Sequence, residues 1–176
     1  MALKSGMQEG VHVFYGAHAT CLSGENKEMS RDYPGVFSDW VVNHTPLDFA
    51  VYSAGAVASM GPETGLRQGF DRAQFMGEEM AKQVALIQQF GFPYENQLNL
   101  NFIRIPLFLR QPMVKISENW ALRPWVFKWA FGHSPLEISM IQLNDLVMIG
   151  LPCDFSGELA VELYAYAKSK NLNLII

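Results

Sequence analysis

The chain has 176 residues, of which 49% are apolar, and its formal net charge at pH 7 is −4. This length predicts a single domain, 1–176, with a sizeable core. No block of Lys or Arg supplies the basic stripe that a phosphate backbone needs, which argues against a nucleic-acid partner. No apolar run reaches the roughly 18 residues of a spanning helix, so no transmembrane segment is predicted.

Two strands are predicted early in the chain, and each ends in small residues. Val11–Tyr15 is a run of strand-forming residues that stops at a glycine, and Asp48–Ser53 alternates before it meets an Ala-Gly-Ala turn. Between them, Ser23–Gly35 is rich in Gly, Asn, Asp and Pro and is interpreted as a loop. Ser38–Asn43 fits a short helix or a further turn.

The clearest amphipathic helix follows, with Asp71 interpreted as its N-cap and a Gly-Phe-Pro segment as its end. Four apolar residues recur at helical spacing and predict its buried face: Met76, Met80, Val84 and Ile87. We expect this methionine-rich stripe to be core and not a cofactor site.

The middle of the chain combines a strand with an aromatic segment. Leu100–Leu109 predicts a strand with Pro106 at an edge or a bulge. Gln111–His133 is interpreted as ordinary aromatic core, with the lining of an apolar cleft as the alternative, and Arg123-Pro-Trp indicates a turn into a short helix. This segment holds three of the four tryptophans: Trp120, Trp125 and Trp129.

The last third predicts a hairpin, a helix and a final strand. Ile138–Leu143 and Leu146–Leu151 flank an Asn-Asp turn. Ser156 is expected to cap a helix, and Leu172–Ile176 is the final strand. The predicted buried stripe of that helix is Leu159, Leu163 and Ala167. Because the chain stops within an apolar run, we expect it to be a fragment of a longer chain. The predicted fold class is α/β, a mixed β-sheet layered with helices.

Three segments share one pattern: an apolar strand, a small-residue turn and a reactive side chain. His18 stands among small neighbours and suits a metal ligand or a base, with a structural role as the alternative. Small residues in Ala54–Pro62 allow a ligand to approach backbone N–H groups, although a plain tight turn has the same pattern. Asp154 lies between a predicted strand end and a predicted helix, where it could bind a metal ion or cap the helix. Glu158 falls in the first helical turn, where the dipole favours it. The expected site is therefore a cluster at three strand ends.

The other candidate side chains carry weaker signals. His12 is interpreted as structural, and His44 and His133 lie in predicted loops. Cys21 and Cys153 have no zinc-site spacing and are expected to be buried thiols, with a disulfide left open.

Three stretches, in this order and spacing, resemble the N-terminal catalytic domain of neutral/alkaline non-lysosomal ceramidases, especially ceramidase-like proteins of bacteria. They are GAHATCLSGENKEMSRDYPG, FAVYSAGAVASMGPE and LVMIGLPCDFSGELAVEL. The resemblance runs through nearly the whole chain and implies that residues 1–176 are an incomplete segment of that catalytic domain. It implies a hydrolase of sphingolipid metabolism that cleaves the N-acyl bond of ceramide to sphingosine and a fatty acid. It also implies a secreted or cell-envelope location and a sphingolipid or related lipid as substrate.

The resemblance implies a zinc ion held by two His, one Glu and one Tyr. The second zinc-binding His of the family matches His18, and its Glu matches Asp154, whose side chain is one methylene shorter; Glu158 is the fallback ligand. The other His and the Tyr belong to family segments that precede and follow the stretches matched here. Two of the four family ligands are thus expected outside this chain.

The family's catalytic Ser belongs to a Gly-Asp-x-Ser-Pro-like turn, and that position here is Gly61. Ser59, two residues earlier, is the candidate catalytic hydroxyl in its place. Alternatively the protein hydrolyses a different amide or ester, or is a non-catalytic ceramidase-like protein that binds lipid or glycan. In a third alternative, an α/β domain uses these strand-end residues structurally.

Overall fold

The computed structural model describes residues 1–108, 114–118, 120–132 and 136–176. These residues form mixed β-sheets with helices, which confirms the predicted α/β class, although the strands divide into two sheets. The described elements, in chain order, are β1 (Ala2–Ser5), β2 (Gln8–Tyr15), α1 (Asp32–His44), β3 (Phe49–Ala54), α2 (Gly69–Gln89), β4 (Leu100–Leu107), α3 (Pro124–Phe131), β5 (Leu136–Leu143), β6 (Leu146–Gly150), α4 (Gly157–Ser169) and β7 (Asn173–Ile175).

The first sheet has the order β1-β2-β3, with β1 antiparallel and β3 parallel to β2. Helices α1 and α2 pack together, and α1 packs on β3. We call these five elements the N-terminal half. The second sheet has the order β4-β5-β6-β7 and ends in a parallel pair, and α4 packs on β7. We call β4 to β7, with α3 and α4, the C-terminal half.

The core of the N-terminal half lies between the helices and the sheet. Tyr33, Phe37 and Val41 recur every four residues along α1, and each is 0% exposed. Gly77 of α2 allows the two helices to touch, because a Cβ there would lie 2.7 Å from the Tyr33 carbonyl oxygen. The helix pair is therefore closely packed, and larger side chains at this contact would separate it.

The loop predicted over Ser23–Gly35 is wrong at its end, because α1 begins at Asp32. The Asp32 N–H donates to the Ser30 hydroxyl at 2.9 Å, which fixes the start of the helix. Pro34 is tolerated in the first helical turn, where its missing N–H costs no hydrogen bond. Ser38–Asn43 is therefore part of a 13-residue helix and not a turn.

The helix predicted from Asp71 begins two residues earlier, at Gly69, so Asp71 lies in its first turn and is not its cap. Met76 and Val84 are buried as expected, whereas Ile87 is 56% exposed. The buried stripe passes instead through Ala81, which packs with α1. A small residue such as Ala allows two helices to pack closely. The spacing of strongly apolar residues did not indicate Ala81, because alanine is only weakly hydrophobic.

The predicted elements of the C-terminal half are confirmed in the described residues. Asn144, at a positive φ of 53°, turns the chain between antiparallel β5 and β6. Pro106 lies on β4, one of the two edge strands of the described sheet, and Leu109 lies outside the described residues. Ser156 is the N-cap position of α4.

Burial in this half differs from the expectation. Leu159 and Leu163 of α4 are 53% and 36% exposed, so the predicted stripe is wrong for both, and Ala160 and Ala167 are the buried residues. The tryptophans of the aromatic segment are also exposed, which overturns their interpretation as core. Both errors have the same physical reason, which is that few described elements cover these helices. Among the described elements, α4 packs extensively only on β7, and α3 packs extensively on no helix or strand.

Candidate functional site

The carboxyl ends of β2 and β3 lie side by side, because the parallel register pairs Tyr15 with Ala54. The Gly55 N–H donates to the Tyr15 carbonyl oxygen at 3.0 Å. One step further, the His18 N–H donates to the Met60 carbonyl oxygen at 3.0 Å. The His18 segment and the small-residue turn are thus joined through their backbones at one edge of the sheet.

The third predicted segment approaches from the other sheet. It follows β6, which is not a neighbour of β2 or β3, so the expected cluster of three strand ends is not built on one sheet. The turn nevertheless reaches it, because the Ala58 N–H donates to the Phe155 carbonyl oxygen at 2.9 Å. A Cβ on Gly157 would lie 3.0 Å from Met60 Cγ, so the glycine allows the Met60 side chain to pack on the start of α4. The turn is therefore the link between the two halves.

Ser59 forms the side-chain part of this link. Its hydroxyl donates to Glu158 Oε2 at 2.6 Å and accepts the Gly157 N–H at 3.0 Å. The Ser156 hydroxyl donates to the same carboxylate oxygen and does not cap the helix backbone. Ser59 thus satisfies one of the free N–H groups at the start of α4 from outside the helix.

These hydrogen bonds stabilise the charged form of Glu158. The hydroxyls of Ser156 and Ser59, with a backbone N–H, lower the pKa of Glu158 to about 2. They favour the charged form because each donates to a carboxylate oxygen. An exposed glutamate is ionised at physiological pH in any case, and the lowered pKa keeps Glu158 ionised well into the acidic range.

His18 and Asp154 occupy different environments. His18 is half-buried, and its carbonyl oxygen accepts the Thr20 N–H at 2.9 Å. Asp154 is exposed and directly precedes Phe155, through which its segment meets the turn. Since Ser156 holds the N-cap position of α4, the alternative of Asp154 as a cap is wrong.

The donors in the described residues do not complete a metal site. No group of three or more His, Cys, Asp or Glu side chains within the described part of the chain is arranged to hold an ion. Zinc sites in proteins take at least three protein ligands. His18 and Asp154 alone therefore do not fit a zinc ion, and further ligands would have to come from elsewhere.

Two tyrosines that the sequence analysis did not single out hold the backbone next to His18. The Tyr33 hydroxyl donates to the Ala17 carbonyl oxygen at 2.6 Å and lies 2.6 Å from the Tyr52 hydroxyl. Burial raises the pKa of both phenols, so they remain neutral donors. A buried tyrosine needs a hydrogen-bond partner for its hydroxyl. The position of Tyr52 in a strand of alternating apolar residues was therefore the sequence signal for this contact.

The remaining histidines lie apart from this link. His12 Nε2 lies 2.8 Å from the Ser53 hydroxyl, and its ring stacks on Phe14, as expected for a structural residue. His44 stacks on Trp40 at the end of α1. His133 lies outside the described residues.

Both cysteines are free thiols, and only Cys21 is buried. Burial is the largest cause that raises its pKa to about 12, which makes it an inert thiol. The expectation of a second buried thiol is wrong, because Cys153 is exposed in the turn before α4.

A small cavity of about 150 Å³ lies where the halves meet, between the ends of β2, β3 and β7. Its lining includes Tyr15, Gly55 and Tyr164. Pockets for drug-sized ligands usually enclose roughly 300–1,000 Å³. The cavity is therefore too small to enclose a long-chain lipid.

Comparison with known proteins gives a structural match. A neutral ceramidase from Pseudomonas aeruginosa matches with a TM-score of 0.66 and 15% identity, over 95% of this chain and 36% of the ceramidase. A ceramidase complexed with C2 matches with a TM-score of 0.66 and 13% identity, over 95% of this chain and 38% of that structure. No family model and no curated protein sequence matches.

None of the described helices is both long and apolar enough to cross a membrane. The predicted resemblance to ceramidases is confirmed for the fold. This chain has the fold of neutral ceramidase structures, over little more than a third of their length.

Proposed function

We propose that this chain supplies part of the active centre of a ceramidase-like amidohydrolase, with a long-chain N-acyl lipid as substrate. The observation that carries the proposal is the pair of backbone hydrogen bonds from His18 to Met60 and from Ala58 to Phe155. They join the three segments in which the sequence resembles ceramidases. The likeness of the fold to neutral ceramidase structures over 95% of the chain supports the same assignment.

His18 and Asp154 are the residues that we propose as metal ligands. An imidazole nitrogen and a carboxylate oxygen are donors that zinc accepts. Because two donors do not complete a zinc site, the proposal requires further ligands from outside the described residues. Asp154 is exposed and His18 is only partly buried, so both donors can receive such partners.

Ser59 is the candidate hydroxyl, and its surroundings favour a structural role over a nucleophilic one. A general base works best with a pKa near the working pH, and the pKa of Glu158 lies far below that range. This observation favours a second candidate function, a non-catalytic protein with the ceramidase fold that binds a lipid or a glycan.

Turnover of short- and long-chain N-acyl sphingosines by the protein as its gene encodes it, with and without zinc, tests the proposal. We expect His18→Ala and Asp154→Ala to lower kcat/KM by at least about 100-fold, and Asp154→Glu to preserve it. His44→Ala is the matched control, because this exposed imidazole stacks on Trp40, apart from the link. Bound zinc, measured by metal analysis, should fall in the two alanine variants only.

The alternatives give different results in the same experiment. Saturable binding of lipid or glycan without turnover by the unsubstituted protein would support the binding function. A protein without zinc, turnover or ligand binding, in which His18→Ala changes only the free energy of unfolding, would be an ordinary α/β domain.

A further inference from the structure

The described residues of the segment 114–130 (114–118 and 120–130) expose an unusual amount of aromatic surface. Trp120, Trp125 and Trp129 are 74%, 65% and 82% exposed, although tryptophan is highly buried on average. Trp125 and Trp129 are four residues apart on α3 and so share one helix face. No described helix or strand packs extensively on α3. Such a concentration of exposed apolar surface marks an interaction site.

The same segment is positively charged within an acidic protein. Its sequence has three cationic residues, Lys115, Arg123 and Lys128, and one carboxylate residue, Glu118, whereas the whole chain has a formal net charge of −4. Arg123 is the N-cap of α3 and Lys128 lies in its last turn, so cations stand at both ends of the tryptophan face. Protein–protein interfaces are enriched in Trp and Arg but depleted in Lys, so the two lysines in the same segment as the tryptophans favour an anionic lipid surface over a protein partner.

We propose that this face of the chain, formed by Trp120, Trp125, Trp129, Arg123 and Lys128, docks on the surface of an anionic phospholipid bilayer. Tryptophan prefers the headgroup level of a membrane, where its ring is apolar and its N–H is hydrated. Lys and Arg are attracted to anionic headgroups at the same depth. The tryptophans and cations at α3 therefore match the two features of that surface, its amphipathic headgroup region and its negative charge. The inference is independent of the proposed hydrolysis.

Sedimentation of the whole chain with phosphatidylcholine vesicles, with and without phosphatidylserine, tests the proposal. We expect binding to the vesicles that contain phosphatidylserine, and weaker binding as salt rises. The double variant Trp125→Ala/Trp129→Ala should lower the partition coefficient by about tenfold or more. Arg123→Glu/Lys128→Glu should lower it by more than about fivefold for each cation.

Matched controls use exposed residues elsewhere. Phe90→Ala removes an aromatic ring that is 84% exposed, and Lys168→Glu/Lys170→Glu makes the same charge change at the C-terminal end of α4. Both should bind vesicles as the unsubstituted chain does. His18→Ala should also bind normally, so that failure of the hydrolysis proposal leaves this one standing.

Three results would overturn the proposal. One is equal binding to vesicles with and without phosphatidylserine. Another is vesicle binding that the α3 variants leave unchanged while their circular dichroism stays native. The third is self-association of the lipid-free chain that Trp125→Ala/Trp129→Ala abolishes, which would make the tryptophan face a contact between two copies.

Discussion

The two halves of the molecule bury their apolar residues to very different extents. In the N-terminal half, two helices cover a sheet, and Phe37 and Val41 are 0% exposed. In the C-terminal half, Leu100 and Phe102 of β4 are 66% and 51% exposed, and the tryptophans of α3 are exposed as well. The first half is therefore stabilised by its own core. The second is oriented largely by β-sheet hydrogen bonds and by its link to the small-residue turn.

The contrast in burial predicts the largest effect of a single substitution. Phe37→Ala removes a fully buried ring and should lower the free energy of unfolding by about 3–5 kcal/mol. Phe102→Ala removes the same atoms from an exposed strand face and should cost less than about 1 kcal/mol. Urea denaturation of both variants measures the difference. Equal losses would mean that another surface covers β4 in solution.

A hydroxyl deletion tests the support below His18. Tyr33→Phe removes the shorter of the two hydroxyl donors to the Ala17 carbonyl, while the Tyr52 hydroxyl still donates to it at 3.1 Å, and should cost about 0.5–1.5 kcal/mol. Tyr94→Phe is the matched control, since its hydroxyl bonds Glu9 at an exposed position, and it should cost less than about 0.5 kcal/mol. The same denaturation assay applies. A cost for Tyr33→Phe as small as that of the control would show that Tyr52 alone holds the Ala17 carbonyl.

The link between the halves has a pH dependence of predictable sign. The pKa of Glu158 is lowered from 4.5 to about 2, so the folded state is favoured above pH 4.5, and this contribution is lost as the pH falls to about 2. Ser59→Ala removes one of the hydroxyls responsible and should raise the pKa of Glu158 towards 4.5. A ¹³C-detected titration of the Glu158 carboxyl measures the change.

The control for this titration is Ser53→Ala, which removes a hydroxyl bonded to His12 and should leave the pKa of Glu158 unchanged. An unchanged value in Ser59→Ala would mean that Ser156 and the helix N-terminus hold the carboxylate by themselves.

The sequence predicted elements well where one local signal was sufficient. The Asn144 turn and the strands that end near Gly16 and Gly55 all follow from residues adjacent in the chain. The start of α1 was missed because Asp32 and Pro34 count equally as loop residues and as residues of a first helical turn. Local patterns did not separate these two roles.

Burial was harder to predict, because whether a residue is buried depends on which other element packs against its own. The spacing of Leu159 and Leu163 indicates an apolar face, but no property of α4 itself shows what packs against that face. The contact of Ser59 with Glu158 was missed for a similar reason, since 99 residues separate them in the chain. The resemblance supplied the three site segments, but not the hydrogen bonds that join them.

The smallest expected change in stability is at Gly61, where the family resemblance implies a catalytic serine. A Cβ at Gly61 meets no atom within 4 Å, whereas a Cβ at Gly77 in the packed half would lie 2.7 Å from the Tyr33 carbonyl oxygen. Gly61→Ser should therefore change the free energy of unfolding by less than about 0.5 kcal/mol, while Gly77→Ser should be strongly destabilising.

The same variant decides what the missing hydroxyl does. If the protein is a ceramidase-like hydrolase that lacks only this group, Gly61→Ser should raise the turnover of N-acyl sphingosine, and Gly61→Ala should not. The alanine variant adds the same Cβ without the hydroxyl, so the difference in kcat between the two isolates the oxygen atom. Equal turnover by both variants would show that Gly61 is not the position from which a hydroxyl acts, and the non-catalytic function would gain support.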